Sequence, residues 1–111
     1  MSGDRELLEL AAKAAGIEGT WFAGYLATHP GHFGVNISPA GHDVWDPLND
    51  DGEALRLAVK LQLSIRIDSI GTAARQNDGD EWQGVMSNPD PAVATRRAIV
   101  RAAAEIGKAM P

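Results

Sequence analysis

Apolar residues along this chain recur with two different periods, and the switches between them mark its elements. Residues 4–15 put Leu7, Leu8, Ala11, Ala14 and Ala15 on one stripe and Arg5, Glu6, Glu9 and Lys13 on the other side, which predicts an amphipathic helix. Glu9 and Lys13 stand at the i,i+4 spacing of a favourable pair. Gly16 supplies a left-handed C′ position, after which Ile17 can fold back on the helix. From 20 to 37 the pattern turns to β. TWFAGYLA and HFGVNI flank THPGH, where Pro30-Gly31 suits the centre of a type II turn, and Phe33, Val35 and Ile37 alternate onto one face. Residues 38–44, with Pro39 and Gly41, read as a loop.

A second helix is predicted over 51–62. The run LSIRIDSI then alternates strictly, with Leu63, Ile65 and Ile67 pointing one way and Ser64, Arg66 and Asp68 the other, as in a half-buried strand. Gly71 reads as its break and TAARQ as a further run. NDGD at 77–80 suits a hairpin turn, because Asn, Asp and Gly tolerate positive φ. EWQGVMS follows with Trp82, Gly84 and Met86 on one face, which makes Trp82 a core expectation. In the last segment Asp90 is placed to cap a helix and Pro91 fits its first position. Ala92, Ile99, Ala103, Ile106 and Met110 form its inner stripe with Val100 at the edge, opposite Arg97, Arg101, Glu105 and Lys108. The expected fold is α+β: about three helices packed on a mostly antiparallel sheet of four to five strands, with residues 1–111 as a single domain.

Composition narrows the function classes. A chain of 111 residues buries roughly 65% of its unfolded surface, enough for a core without metals or disulfides. Of its residues 44% are hydrophobic but only 5% aromatic, so small alanines carry much of the apolar count and a few large side chains carry the stability. Trp21, Trp45 and Trp82 are each expected as core anchors or rim residues. A formal charge of −5 disfavours nucleic acid and anionic lipid as partners, leaving open a local basic face. With no cysteine, a disulfide framework, a thiolate metal site and a cysteine nucleophile are all excluded. The start, MSGDRELLEL, has neither a basic n-region nor a continuous apolar h-region, and no stretch approaches the ~20 apolar residues of a membrane span. A soluble protein of the cytoplasm is expected.

The stretch WDPLNDDGEALRLA, residues 45–58, concentrates acidic residues and raises the question of a cation site. An EF-hand needs ligands at alternate positions, a glycine at the sixth and a glutamate at the twelfth, and Asp46, Asp50 and Asp51 do not fit that spacing. A helix start fits better. Asp50 and Glu53 have the N-cap and N3 spacing of a capping box, and Asp51 sits in the first turn, where the helix dipole favours a carboxylate. Pro47 holds the chain extended, and Leu48 can staple onto Ala54 or Leu55. Trp45, Pro47, Asp50, Asp51 and Glu53 are therefore assigned to the structure of the helix start.

The same residues carry a family resemblance. Trp45, Pro47-Leu48, Asp50-Asp51-Gly52 and ALRLA at 54–58 resemble the signature of the phage ABA sandwich domain, small proteins of tailed phages and prophages. ATRRAIVRAAAEIG at 94–107 is similar to that family's other recurrent segment, and LLELAAKAAGIE at 7–18 fits too, so the likeness spans most of the chain. Residues 20–43 and 72–87 agree only in general character, and Asp46 stands where the pattern more often carries Asn. The resemblance implies helices against a sheet and a phage origin, and it transfers no catalytic residue. A three-layer sandwich should cover both sheet faces, yet LSIRIDSI puts Arg66 and Asp68 on one of them. Either that face is partly open or the strand lies at an edge.

Candidate chemistry is sparse. His29 and His32 flank Pro30-Gly31, and with His42 and Asp43 they outline a zinc or nickel site, against the simpler role of solvated loop histidines. Ser38, Ser64, Ser69 and Ser87 lie in no G-x-S-x-G context, and neither a P-loop nor G-x-G-x-x-G occurs. No enzyme and no cofactor are expected. Arg96, Arg97 and Arg101 form the most basic local feature, either an anion or partner surface or a solvated face with Arg101 and Glu105 paired and the Arg96 stem buried. The leading expectation is a small accessory protein that binds a host or phage protein, with a homodimer through an open sheet face as one form. The alternative is a binder of a small nucleotide-like anion using the arginines, and a weaker one is a metal-dependent hydrolase using the histidines.

Overall fold

The computed structural model describes residues 3–22, 32–36, 42–76, 81–86 and 90–111. In chain order they form α1 (Asp4–Ala15), β1 (Gly19–Phe22), β2 (His32–Asn36), β3 (His42–Val44), α2 (Asp51–Leu61), β4 (Ser64–Ile67), β5 (Gly71–Arg75), β6 (Gln83–Met86) and α3 (Pro91–Ala109). The class is α+β, and every ladder is antiparallel. The strands lie in two three-stranded sheets, ordered β1-β2-β3 and β4-β5-β6, rather than in one sheet of four or five.

One segment adds the sixth strand, and another differs in where its strand begins. Residues 42–44, expected in a loop, form β3 and pair with β2, Asn36 opposite His42 and Gly34 opposite Val44. Three residues are too few to display an alternation, so only the neighbouring strand defines them. Gly71, expected to break a strand, instead starts β5 opposite Met86. A Cβ at Gly71 would run into the Val85 carbonyl oxygen, so the glycine marks a close backbone approach. The turns anticipated at Pro30-Gly31 and at 77–80 lie outside the described residues.

The helix ends follow their local chemistry. Gly16 adopts φ 71° and closes α1, and Ile17 N–H donates to the Ala12 carbonyl at 2.9 Å. Asp50 caps α2 by accepting from Glu53 N–H at 2.8 Å. The reciprocal arm of the capping box is absent: Asp50 N–H donates to the Asp46 carbonyl at 2.9 Å, and the Glu53 carboxylate pairs with Arg56 at 2.9 Å. Asp90 caps α3 by accepting from Ala92 N–H at 2.9 Å, just ahead of Pro91. On α1, Glu9 pairs with Arg5 at 3.2 Å instead of with Lys13, whose ammonium donates to the Met110 carbonyl at 3.0 Å.

Helix α3 is the centre of the molecule. It packs on α1 and α2 along one flank and on β5 and β6 along another. The single inner stripe expected for it is too narrow. Ala92 and Met110 are exposed and Ile106 is half-buried, whereas Val100 is fully buried. Plotted at 100° per residue, the buried positions Ala94, Ala98, Ile99, Val100, Ala102, Ala103, Ala104 and Gly107 sweep roughly three quarters of the circumference. Ile99, Val100 and Ala103 join Leu8, Ala11, Phe33, Trp45, Leu48 and Leu57 in the main core. Ala98 and Ala102 meet Ala74 of β5 in a second, smaller cluster.

Where α3 passes α1 the backbones touch. A Cβ at Gly107 would collide with the carbonyl of Leu10. Gly107→Ala should therefore destabilise the fold by about 1–3 kcal/mol through overpacking, measured as a lower urea midpoint at unchanged slope. Gly84, around which a Cβ meets nothing within 4 Å, serves as the contrast, and Gly84→Ala should stay within about 0.5 kcal/mol of the parent.

Candidate functional site

The acidic stretch before α2 is held together by packing and by one arginine. Trp45, Pro47 and Leu48 are buried, and Trp45 meets Phe33 edge-on with ring centres 5.6 Å apart. The Trp45 N–H donates to the Phe33 carbonyl at 2.8 Å, joining this stretch to β2. Asp46 accepts from the Asn49 side-chain amide at 2.7 Å through Oδ2, while its Oδ1 is buried without a hydrogen-bond partner. Arg96 reaches across from α3, donating from Nε to the Leu48 carbonyl at 2.8 Å and pairing with Asp51 at 2.6 Å. Its side chain is 15% exposed, against 80% for Asp51. Arg96 therefore belongs to the start of α2.

The three arginines of α3 do not converge. Arg97 pairs with Asp4 of α1 at 3.1 Å, and Arg101 donates to the Gly84 carbonyl of β6 at 3.3 Å. Glu105, expected beside Arg101, pairs with Lys108 at 3.6 Å. Arg97 and Arg101 do line one open groove of about 530 Å³, but Asp4 and Glu105 line it as well. The groove is therefore of mixed charge. The two histidines among the described residues are also set apart. His29 lies outside the described residues. His32 stands opposite Phe22, and His42 stands opposite Asn36 with Asp43 opposite Val35. That register sets His32 and His42 four residues apart along the ladder, roughly 13 Å. Among the described residues no three His, Asp or Glu side chains could hold one metal ion.

The sheet β4-β5-β6 has two unlike faces. Its register puts Ile65, Ile67, Thr72, Ala74 and Val85 on the α3 side, and Ser64, Arg66, Ala73, Arg75, Gly84 and Met86 on the other. The sheet is joined to α3 by the Thr72 hydroxyl, buried and 2.9 Å from that of Thr95. The outward face is uncovered among the described residues, and β4 is also an edge strand. Arg66 thus sits on an open face and at an edge together. Trp82 is half-buried on this outward side rather than in the core, with the Arg75 guanidinium 4.2 Å above its ring. Alternation alone misplaces it, because Gly84 and Met86 share its parity and apolar character although their side is the open one.

A dent of about 420 Å³ lies on this face. Small residues, Gly71, Ala73 and Gly84, form its floor, and Arg66, Trp82 and Met86 stand around it. Met86 is 68% and Ile70 69% exposed. One end is fixed by Asp68, whose Oδ1 accepts from the N–H groups of Ile70 at 2.8 Å and Gly71 at 3.0 Å. These bonds, Gly71's first and then Ile70's, hold the Asp68 carboxyl below its ordinary value, with a smaller contribution from the Arg66 charge.

No family model, no curated protein and no solved structure matches the chain.

Arg96→Ala should lose about 1.5–3 kcal/mol of stability, since it strips charge-assisted bonds and leaves the Leu48 carbonyl without this donor. Asp51→Ala, at the exposed end of the same pair, should lose less than about 1 kcal/mol; chemical denaturation of both variants distinguishes the two ends. The depressed Asp68 pKa sets a pH dependence. Its contribution is present above the unfolded carboxyl value of 3.8 and fades as pH falls through the lower folded value. In an NMR titration the Asp68 carboxyl should move at lower pH than an ordinary aspartate, and exchange of the Ile70 and Gly71 amides should accelerate with it.

Proposed function

We propose that this chain is a small accessory protein of tailed phages or prophages, of the phage ABA sandwich kind, that works by binding a host or phage protein on the outward face of the β4-β5-β6 sheet. The observation that carries this is the dent beside Trp82. It combines a glycine and alanine floor with a tryptophan, an arginine and a methionine, residue types enriched in the hot spots and cores of protein interfaces. At about 420 Å³ it has room for more than one apolar side chain of a partner segment. Asp68 also borders the dent, but one of its oxygens is taken up by the Ile70 and Gly71 amides at the far end, so Arg66 is the charge on the margin and the complementary segment carries a carboxylate next to its apolar anchor. The dispersed arginines of α3 do not favour the anion-binding alternative. No helix among the described residues is long and apolar enough to cross a membrane.

Selection of displayed peptides on the immobilised protein tests this proposal. Peptides with an apolar residue beside Asp or Glu should be enriched, and Trp82→Ala should weaken their binding at least about tenfold, or ~1.4 kcal/mol, while the thermal midpoint stays near that of the parent. Arg66→Gln should weaken them less and reduce the dependence on salt. Equal binding by Trp82→Ala and the parent would sink the proposal.

A further inference from the structure

We infer that β4 is a self-association edge, through which two copies of this chain join their sheets about a two-fold axis at Ile67. This does not depend on partner docking at the Trp82 dent: the strand edge and the helix side of the sheet carry it, and of the groups that border the dent only Arg66 and Asp68 take part. The backbone sets the geometry. Asp68 N–H donates to the Gly71 carbonyl at 3.0 Å, which closes the β4-β5 hairpin with a hydrogen-bonded pair. Bonded and non-bonded pairs alternate along an antiparallel ladder. The pairs Arg66–Ala73 and Ser64–Arg75 therefore bond within the sheet, and the N–H and C=O groups of Ile65 and Ile67 point out from the edge. Edge strands are usually protected by lysine, proline or a bulge. Over Ser64–Ile67 the strand has no lysine, proline or bulge, and Arg66 is its one charged side chain.

An apolar flank runs along the same edge. Ile67 is 62% exposed, and beside it Leu55 of α2 is 60% exposed, with Val59 one turn further along at 68%. Leu55, Ile65 and Ile67 line a groove of about 370 Å³ between α2, β4 and the start of α3. Leu55, Val59 and Ile67 are among the most exposed large apolar side chains described, and Leu55 and Ile67 share this groove.

Charge selects a second copy as the occupant. With Ile67 on the axis of an antiparallel β4–β4 ladder, Arg66 stands opposite the partner's Asp68, and the reverse pair repeats it. Opposite charges directly across a ladder stabilise, and like charges destabilise. A two-fold with Arg66 on the axis would put two guanidinium groups face to face, and one with Ile65 on the axis would set Arg66 opposite Ser64 with no ion pair. The Asp68 oxygen that holds the hairpin turn is Oδ1, so Oδ2 is available to the partner's Arg66. The two copies would form one six-stranded sheet, with Ile67, Leu55 and Val59 from both buried beneath the junction.

The absence of cysteine makes the test direct. In the proposed register the two Ile67 Cα atoms are about 5.5 Å apart, inside the range of about 4.4–6.8 Å that a disulfide spans. Ile67→Cys should cross-link to a covalent dimer under mild oxidation, whereas Met86→Cys, equally exposed on the opposite edge strand, should remain monomeric on the same time scale. Sedimentation equilibrium of the unmodified chain should show a reversible dimer, and Arg66→Glu, which sets two carboxylates opposite each other, should weaken it at least about tenfold, or ~1.4 kcal/mol. A unmodified chain that stays monomeric at all concentrations would overturn the inference. So would equal cross-linking of the two cysteine variants, or a dimer that Arg66→Glu leaves unchanged.

Discussion

The close passage of α1 and α3 is the constraint from which the rest of the structure follows. Two helices whose backbones meet at Gly107 and the Leu10 carbonyl can approach only where side chains are nearly absent. Alanine continues the seam, through Ala11, Ala12 and Ala15 on α1 and Ala103 and Ala104 on α3, all buried. Small residues there let one helix be enclosed on most of its circumference in a chain of only 111 residues. Each alanine buries little apolar area, but it loses almost no side-chain entropy on burial. The composition and the architecture are thus one fact.

Large side chains are concentrated where that seam ends. Phe33, Trp45, Leu48 and Leu57 gather at the main core, and the chain leading into α2 is anchored there by Trp45 and Pro47. The polar groups exposed by the bend are satisfied by Asp50 at the cap and by Arg96 at the Leu48 carbonyl. Arg96 is the one basic residue of α3 drawn inward. Its neighbours Arg97 and Arg101 are held by α1 and by β6 respectively. Three arginines close in sequence thereby tie α3 to three different elements, and the groove that Arg97 and Arg101 share is lined by Asp4 and Glu105 as well.

The same economy leaves one surface open. Helix α3 covers a single face of β4-β5-β6, and its alanines meet Ala74 and the Thr72–Thr95 contact there. Among the described residues nothing packs on the other face, and β4 has no neighbour on its outer side. The outward face combines a tryptophan, arginines and a methionine above glycine and alanine, and the edge combines unpaired backbone with isoleucine, leucine and valine. The open face follows because α3 covers one side of this sheet, and the open edge because β4 is the last strand of its order.

Sequence alone determined the features that depend on neighbours a few residues away. Asp50, Asp90 and Pro91 mark helix starts, Gly16 marks a helix end, and the β4 alternation separates Ile65 and Ile67 from Ser64 and Arg66, because capping and side-chain direction are local. The outward placement of Arg97, Arg101, Glu105 and Lys108 was legible for the same reason. Tertiary structure decided whatever depends on which partner fills the space. It divided the strands into two sheets, made a strand of His42–Val44, brought Val100 to the centre of the core, sent Arg96 to Leu48, and turned the Trp82 side outward. Periodicity says which residues share a face. Whether that face meets a helix or is left uncovered depends on packing between segments far apart in the chain, and no local pattern encodes it.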